Sequence, residues 1–463
     1  MPLLLSRLRR LESTPASRPG VLEKAFAAIA MLVFSQAFIF VLFTEVGQGK
    51  GLAGEMTQRG PVTSSNPALL ATYISIYVVC GLLLLRHFWQ GLRLMLQESW
   101  LLLFIALAAV SALWSLAPGL TLSRTVALGG TCAFALYLSV RFTLLDVIVL
   151  ASLAFCPVVL GSYALAFASP DVAVMKGWHY DLWRGVFPHK NILGQAMLIA
   201  SLVYYLCYAF AGRWRAFFLV FLLLSLLLLL LSGSKSAILT TAALFSALSV
   251  TLPLLGKRSA LAGTLIGFFI CATGLFMMFK YDLYLSRELS VRLGTSQATV
   301  NENYASARAL DQVATLTGRT ELWPLLVTMG KEQPLLGFGY GGFWIGRDGP
   351  SARVPVGPNG WKPTTAHNGF LEAWLQLGFA GLTLLMAGLA RAAFLSLRFL
   401  PAARHEPLWL FFPAILLSLG MMGMVESVLL RPNLLLTVFL VYTMVCLADQ
   451  SASEVELDQS GTV

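Results

Sequence analysis

The sequence predicts an all-α polytopic membrane protein with about twelve transmembrane helices and one large outer loop that carries helices of its own. Three observations support this fold class. Of the 463 residues, 57% are hydrophobic and only 12% are charged, whereas a soluble domain carries roughly 25% charged residues. The mean hydropathy is +0.76. Apolar runs of about 20 residues recur along the chain, with lysine and arginine residues in the loops between them.

Each apolar run is long enough to cross roughly 30 Å of hydrocarbon as a helix, and lipid offers backbone amides no other partner. The first run follows a basic segment and lies too far into the chain for an ordinary cleavable signal peptide, so we predict a retained helix. The predicted spans cover approximately residues 25–43, 67–86, 99–117, 120–139, 143–168, 191–211, 215–231, 236–255, 260–279, 367–396, 408–426 and 432–448.

The positions of lysine and arginine orient these spans, because basic short loops stay in the cytoplasm. The basic N-terminus and the basic loops all fall on one side when every span is counted, and the even count puts the C-terminus on that side too. We therefore predict a cytoplasmic segment at residues 1–24 and a single transmembrane domain at 25–448, with its large outer loop at 280–366. The acidic, polar tail at 449–463 is expected to be disordered and cytoplasmic.

Charge and cysteine content exclude two classes of site. The net charge of +10 is explained largely by topology signals in the cytoplasmic loops, so it gives no support to nucleic-acid binding. All six cysteines lie inside apolar spans without metal-ligand spacing. They therefore predict neither disulfides nor a zinc site.

Basic residues are unexpected on the outer side, yet two outer segments concentrate them before predicted helices. Arg184, His189 and Lys190 precede the sixth span, where Asn191 suits the helix N-cap. Lys235 begins the eighth span, with Ser234 placed to cap it. Helix N-termini favour anions. Each cluster taken alone also fits cationic anchors for lipid headgroups.

The large outer loop adds a third basic position and a glycine-rich segment. Arg319 is predicted at the start of a helix, with Pro324 in its first turn and a stripe of leucine and methionine side chains that packs on the membrane domain. Residues 334–344 are rich in glycine and aromatic residues but lack the ending of a phosphate loop. Their aromatic rings fit either a glycan platform or an interfacial belt, and the belt is favoured.

His367 opens the tenth span. The dipole at a helix N-terminus disfavours the imidazolium form, which leaves a neutral ring able to accept a proton. The positive-inside rule predicts few cations on this side, so their convergence there indicates an anionic ligand rather than anchors. A lipid-linked diphosphate fits, since cations stabilise the charge that develops as its bond to a sugar breaks.

The attacking group would then be a sugar hydroxyl, and its proton must be removed. A neutral histidine such as His367 suits this task, which is worth about 10² to 10⁴ in rate. The sequence has no Asp-Xaa-Asp motif, so we expect the basic residues to replace a divalent metal.

The motifs and their order resemble the O-antigen ligase and polymerase superfamily, and within it the exopolysaccharide polymerases of the succinoglycan type. The resemblance extends from about residue 110 to residue 430. It implies a GT-C-like membrane glycosyltransferase that uses an undecaprenyl-diphosphate-linked oligosaccharide, without metal or other cofactor, and inverts the anomeric carbon. The motifs are Trp114–Ser115 to Pro118, Phe187 to Asn191 with Gly194, Ser232 to Ser236, Leu316 to Trp323, Pro334 to Phe343, and Ala366 to Gly369.

Carried over by position, the resemblance implies three catalytic residues, five donor-binding residues and three further candidates. Lysines stand at two positions where other members carry arginine, which puts bidentate contacts there in doubt. The catalytic residues are His367, Arg319 and Arg184. The diphosphate ligands are Arg184, Lys190, Lys235, Arg319 and His189, and the further candidates are Arg124, Glu426 and Arg431.

Two alternatives to a polymerase remain open. A ligase would transfer the lipid-linked glycan to lipid A core or to a protein. The motif at 187–191 favours the polymerase but does not exclude the ligase. A transporter of polysaccharide or lipid-linked sugar would show inverted repeats, broken helices and charges near the membrane midplane. The sequence shows no such internal repeat, and the candidate functional residues lie at one face. The expected setting is the bacterial inner membrane with a periplasmic active face. The expected partners are membrane lipid and a growing polysaccharide acceptor, and the sequence leaves open whether a chain-length regulator binds.

Overall fold

The computed structural model describes residues 19–43, 66–175, 182–210, 214–256, 264–265, 267–274, 319–355 and 363–460, and this part is an all-α membrane protein. Eight of its helices are long and apolar enough to cross a membrane, or nine if one bent pair forms a single span. The helices are α1 Val21–Phe34, α2 Ile39–Phe43, α3 Pro67–Leu85, α4 Phe88–Gln97, α5 Ser99–Val110, α6 Pro118–Arg141, α7 Leu144–Ala168, α8 Pro170–Ala173, α9 Lys190–Phe210, α10 Arg215–Ser232, α11 Lys235–Leu254, α12 Arg319–Gly330, α13 Gly369–Arg398, α14 Phe411–Val425 and α15 Leu435–Ser460.

Some predictions fall on parts of the chain that lie outside this description. They are residues 1–18 of the N-terminal segment, most of the predicted span at 260–279, residues 280–318 and 356–362 of the large outer loop, and residues 461–463 of the tail. Within that span, residues 267–274 are helical.

The first predicted span is interrupted. Between α1 and α2 the chain passes through Gln36 and Phe38, both with φ of 63°. The Gln36 side-chain amide donates to the Asn433 carbonyl at 3.1 Å, and the Phe38 N–H donates to the Val186 carbonyl at 3.1 Å. The Phe38 bond supplies a partner for a backbone amide at the break, because buried backbone groups must be paired, and the Gln36 side chain ties the break to Asn433, just before α15.

The predicted span at 99–117 is shorter than expected and is joined to a helix that the sequence prediction treated as a loop. Helix α4 meets α5 at an angle of 88°. At the bend, the buried Glu98 carboxylate forms an ion pair with Arg391 of α13 and accepts a hydrogen bond from the Trp100 indole. The buried charge is thus compensated across two helices.

Helix α13 is broken at Gly378, whose φ of 62° and ψ of −164° are not helical. The segment that begins at Pro334 fills the break. The Phe379 and Ala380 amides donate to the carbonyls of Pro334 at 2.8 Å and Leu335 at 3.1 Å, respectively. Gly378 is required here, because a side chain would point a Cβ to within 2.2 Å of the Leu335 backbone.

The prediction of a disordered tail from residue 449 was wrong, because α15 continues to Ser460. A helix that already exists extends more easily than a new one forms. In addition, Glu454 on this extension forms an ion pair with Arg398 at 2.9 Å. This contact holds the acidic end of α15 beside the end of α13.

The segment before α9 contains a short antiparallel hairpin, β1 Val174–Met175 and β2 Leu182–Trp183. The sequence analysis did not predict it. Its second strand leads directly into residues 184–191, so the hairpin helps to fix the first basic cluster above α9.

Candidate active site

A buried carboxylate, Glu426, contacts two of the basic residues that the sequence predicts on the outer side. Its Oε1 accepts a hydrogen bond from Arg319 Nη2 at 2.6 Å and another from Asn191 Nδ2 at 3.2 Å. Its Oε2 lies 3.3 Å from His367 Nδ1. The Glu426 side chain is 9% exposed, against 15% for Arg319 and 26% for His367. Residues from four distant parts of the chain therefore meet at one carboxylate.

The charges of this cluster are balanced. Burial alone would raise the pKa of the Glu426 carboxyl, but its hydrogen bond to His367 and the charge of Arg319 hold that pKa below its usual range. Glu426 follows the last residue of α14, where the helix dipole disfavours a negative charge. Arg319 and the hydrogen bond to His367 therefore keep this buried carboxylate ionised.

Both basic groups lie near the beginning of a described helix. Arg319 is the first described residue of α12, and Pro324, which the sequence predicted in the first turn, lies beyond that turn. His367 lies just before Asn368, whose side chain caps α13 by accepting from the Phe370 and Leu371 amides. The φ of His367 is 49°, a left-handed conformation that costs of order 1–3 kcal/mol and persists only where the surroundings impose it.

The prediction that Asn191 caps α9 was wrong. Helix α9 begins at Lys190, and the His189 imidazole performs the capping, with Nδ1 accepting the Asn191 N–H at 3.2 Å. The Asn191 side chain is then directed to Glu426. The interpretation of Asn191 as the N-cap did not include this contact, because the sequence does not show that α14 ends opposite the start of α9.

Lys190 and Lys235 belong to a neighbouring part of the outer face. Lys190 Nζ donates to the Gly233 carbonyl at 3.4 Å, in the turn just before the exposed Lys235. Ser234 occupies the N-cap position of α11, but its side chain makes no capping hydrogen bond. Gly194 packs closely against Ser234, so the two helix starts are held together.

Arg184 is directed elsewhere. Its Nε donates to the Val172 carbonyl at 2.7 Å, and its guanidinium lies over the Phe40 ring at 4.6 Å from the centroid. These contacts fasten the segment after β2 to the first span. The role of Arg184 in donor binding stays a prediction.

The glycine-rich segment at 334–344 is neither a glycan platform nor an interfacial belt. Tyr340, Phe343 and Trp344 are buried, and the Tyr340 hydroxyl donates to the Leu430 carbonyl at 2.9 Å. The turns fold the segment back into the break of α13, which takes the rings inside. Arg124 supports this arrangement, since its Nη1 donates to the Gly341 carbonyl at 3.0 Å.

A second carboxylate, Glu372, was missed by the sequence analysis. It accepts hydrogen bonds from the Ala366 amide at 2.7 Å, the Trp344 indole at 2.9 Å and the Ser427 hydroxyl at 3.2 Å. Arg431 lies within the electrostatic influence of both Glu372 and Glu426, which counteract the lowering of its pKa by burial. The available signal was an acidic residue in the first turn of an apolar span, which usually faces a polar interior.

Comparisons with known proteins agree with this architecture. Residues 219–386 match the family model described as O-antigen ligase. The exopolysaccharide production protein ExoQ of Rhizobium meliloti (strain 1021) is 27% identical to this chain over 323 residues, which are 66% of this chain and 67% of that protein. Both similarities support the O-antigen ligase and polymerase family. The chain is a multi-pass membrane protein, and the similarities point to a glycosyltransferase-like ligase or polymerase of polysaccharide biosynthesis.

The region matched by the family model contains only half of the cluster. Arg319 and His367 lie inside residues 219–386, whereas Asn191 and Glu426 lie outside them. The two outside residues are joined to the inside ones by the hydrogen bonds described above. The candidate site of this chain thus draws on chain segments on both sides of the matched region.

Proposed function

We propose that the protein polymerises undecaprenyl-diphosphate-linked oligosaccharide repeat units into exopolysaccharide at the periplasmic face of the bacterial inner membrane. The observation that carries the proposal is the Glu426 carboxylate that contacts Arg319, His367 and Asn191. The similarity to a protein named for exopolysaccharide production supports a polymer as the product. The single transmembrane domain at 25–448 is part of the same proposal.

His367 is the proposed general base. In the neutral ring, Nδ1 must carry the hydrogen in order to donate a hydrogen bond to Glu426. The basic lone pair is then on the other nitrogen, Nε2. This is the arrangement by which a carboxylate fixes the tautomer of a catalytic histidine in other enzymes. As the imidazole takes up a proton, the nearby carboxylate stabilises the charge that forms.

Arg319 is the proposed ligand of the donor diphosphate. A guanidinium has five N–H donors in a planar fork, so its contact with Glu426 is compatible with a second contact to phosphate oxygens. Lys190 and Lys235 are proposed to add positive charge at the adjoining helix starts. His189, whose Nδ1 accepts the Asn191 N–H, is proposed to take part in diphosphate binding as a neutral ring. Glu426 orients the arginine and the histidine relative to each other.

The proposed reaction exchanges one bond for another. An acceptor sugar hydroxyl oxygen attacks the anomeric carbon of the donor, and the bond from that carbon to the diphosphate oxygen breaks. The hydroxyl proton passes to His367, and the electron pair leaves with the lipid diphosphate, whose charge Arg319 stabilises. The glycan then remains on the lipid carrier of the acceptor, and the free lipid diphosphate departs.

The proposal is tested with purified protein in lipid nanodiscs, supplied with undecaprenyl-diphosphate repeat units and EDTA. Wild type should produce a glycan ladder on a gel, and Arg319→Ala, His367→Ala and Glu426→Gln should lower the rate of polymerisation about 100-fold or more. Arg353→Ala is the matched control. Arg353 lies on the same outer surface and forms an exposed ion pair with Glu332 at 2.6 Å.

A ladder that persists in the three site variants would refute the assignment of the site. Loss of the wild-type ladder in EDTA, with recovery on adding Mg²⁺, would refute the metal-independent mechanism. Loss of the ladder in Arg353→Ala would show that substitutions on this face act through folding rather than through the site.

A ligase is the second candidate, because the matching family model is described as O-antigen ligase. The same preparation distinguishes the two when lipid A core is supplied as the acceptor. A polymerase extends the lipid-linked glycan by successive repeats and leaves the lipid A core unmodified. A ligase gives a glycan attached to lipid A core and no ladder on the lipid carrier.

A further inference from the structure

Glu372 is connected to the two residues that flank the proposed catalytic pair in the chain. Its Oε2 accepts from the amide of Ala366, which precedes His367, and from the hydroxyl of Ser427, which follows Glu426. The two distances are 2.7 Å and 3.2 Å. One carboxylate oxygen therefore joins the backbone that carries the histidine to the segment that carries its carboxylate partner.

The peptide groups beside Ala366 are fixed on both sides. Glu372 binds the Ala366 N–H, while the Trp323 indole donates to the Ala366 carbonyl at 3.0 Å. His367 follows directly, in its left-handed conformation with φ of 49°. Such a conformation persists only where neighbouring contacts impose it. The two hydrogen bonds of Ala366, with Glu372 and with Trp323, form a clamp that restrains the backbone next to His367 and holds the imidazole beside Glu426.

The other carboxylate oxygen of Glu372 extends the restraint to the glycine-rich segment. Oε1 accepts from the Trp344 indole at 2.9 Å and from the Gln376 amide. The side-chain oxygen of Gln376, Oε1, in turn accepts the Gly341 N–H at 3.1 Å. The positive charges that act on Glu372 from neighbouring elements are those of Arg124 in α6 and Arg431 after α14.

We propose that Glu372 is a positioning residue that sets the separation between His367 and Glu426. This inference rests on the proposed function, in which that pair removes the acceptor proton. Four donors converge on Glu372, and a carboxylate can accept all of them, whereas an amide can accept only on its single oxygen. Glu372→Gln therefore opens either the contact with Ala366 or the contact with Trp344.

The kinetic test compares Glu372→Gln with Glu332→Gln, an exposed carboxylate of the same outer surface that pairs with Arg353. Glu372→Gln should lower kcat about 10- to 100-fold with little change in the KM for the lipid-linked donor, since a misplacement of about 1 Å costs up to 10²-fold. Glu332→Gln should behave like wild type. Ser427→Ala removes one donor from the Glu372 carboxylate, and we expect a smaller loss of about 3- to 10-fold.

A second measurement does not depend on catalysis. Diethyl pyrocarbonate modifies accessible imidazoles, and mass spectrometry of the labelled peptides gives the time profile of modification at His367. In Glu372→Gln this profile should rise faster than in wild type, because an imidazole released from its contact with Glu426 is more accessible to the reagent. In Glu332→Gln the profile should be unchanged.

The two measurements separate the possible failures. A lower kcat with an unmoved modification profile would mean that Glu372 only maintains the fold, and it would overturn the positioning role. An unchanged kcat and profile would overturn it as well. If the modification profile changes in Glu372→Gln while His367→Ala still makes ladders, the positioning role stands and the proposed function is rejected.

Discussion

The break in α13 permits a demanding test, because a single methyl group should disrupt it. Gly378 combines φ of 62° with ψ of −164°, a region that is essentially restricted to glycine. In Gly378→Ala the new Cβ would lie 2.2 Å from the Leu335 carbonyl carbon and oxygen. The backbone of the inserted segment must therefore move away from the helix.

The cost follows from two contributions. The strained conformation costs about 1–3 kcal/mol for a residue with a side chain. Displacement of the segment also removes the hydrogen bonds from Phe379 to Pro334 and from Ala380 to Leu335, each worth about 1 kcal/mol net. We expect the free energy of unfolding to fall by roughly 3–5 kcal/mol.

The measurement is an SDS titration of the protein in mixed micelles, followed by tryptophan fluorescence. Gly420→Ala in α14 is the control, because a Cβ added there meets nothing within 4 Å, and its effect should stay within about 1 kcal/mol. Hydrogen exchange by mass spectrometry should show lost protection at Phe379 and Ala380 in Gly378→Ala only. Equal stability of the two variants, or retained protection, would refute the reasoning.

Two further predictions concern buried charges. The pKa of Glu426 lies below its usual range in the folded protein, so its stabilising contribution is present above the ordinary value of about 4.3 and is lost as the pH falls through the folded value. SDS titrations should therefore show a steeper loss of stability below about pH 4 in wild type than in Glu426→Gln, and equal slopes would contradict this. Arg391→Ala leaves Glu98 uncompensated with its side chain 1% exposed and should cost about 3–5 kcal/mol. Glu98→Gln keeps an acceptor for Trp100 and should cost only about 1 kcal/mol. The double variant should be more stable than Arg391→Ala alone, whereas strictly additive losses would show that the pair is not coupled.

The predicted helix limits were most accurate for the spans that cross the membrane without interruption. The limits of α3, α7, α9, α10 and α11 differ from the predicted ones by only a few residues, because a bilayer requires a continuous apolar helix of fixed length. The errors occur where tertiary contacts compensate a broken helix. Neither the turn at Gln36 nor the bend at Glu98 has a local signal, since their partners, Asn433 and Arg391, are hundreds of residues away in the chain.

The candidate site was predictable in its residue types but not in its connections. Counting basic loops placed Arg319 and His367 on the outer side, and helix-start signals placed them at α12 and α13. The central position of Glu426 could not be read from the sequence, because it depends on where α14 ends relative to three other helices. For the same reason Asn191 was assigned a capping role and Glu372 was overlooked, since the contacts that define both residues are made with residues far away in the chain.

The spacing of the cluster along the chain has a consequence for biosynthesis. Asn191, Arg319 and His367 emerge from the ribosome in that order, and Glu426 follows only after α14 has been made. Until then the carboxylate that joins the arginine and the histidine in the described part of the chain has not been made. The cluster can therefore be complete only after the end of α14 has been synthesised.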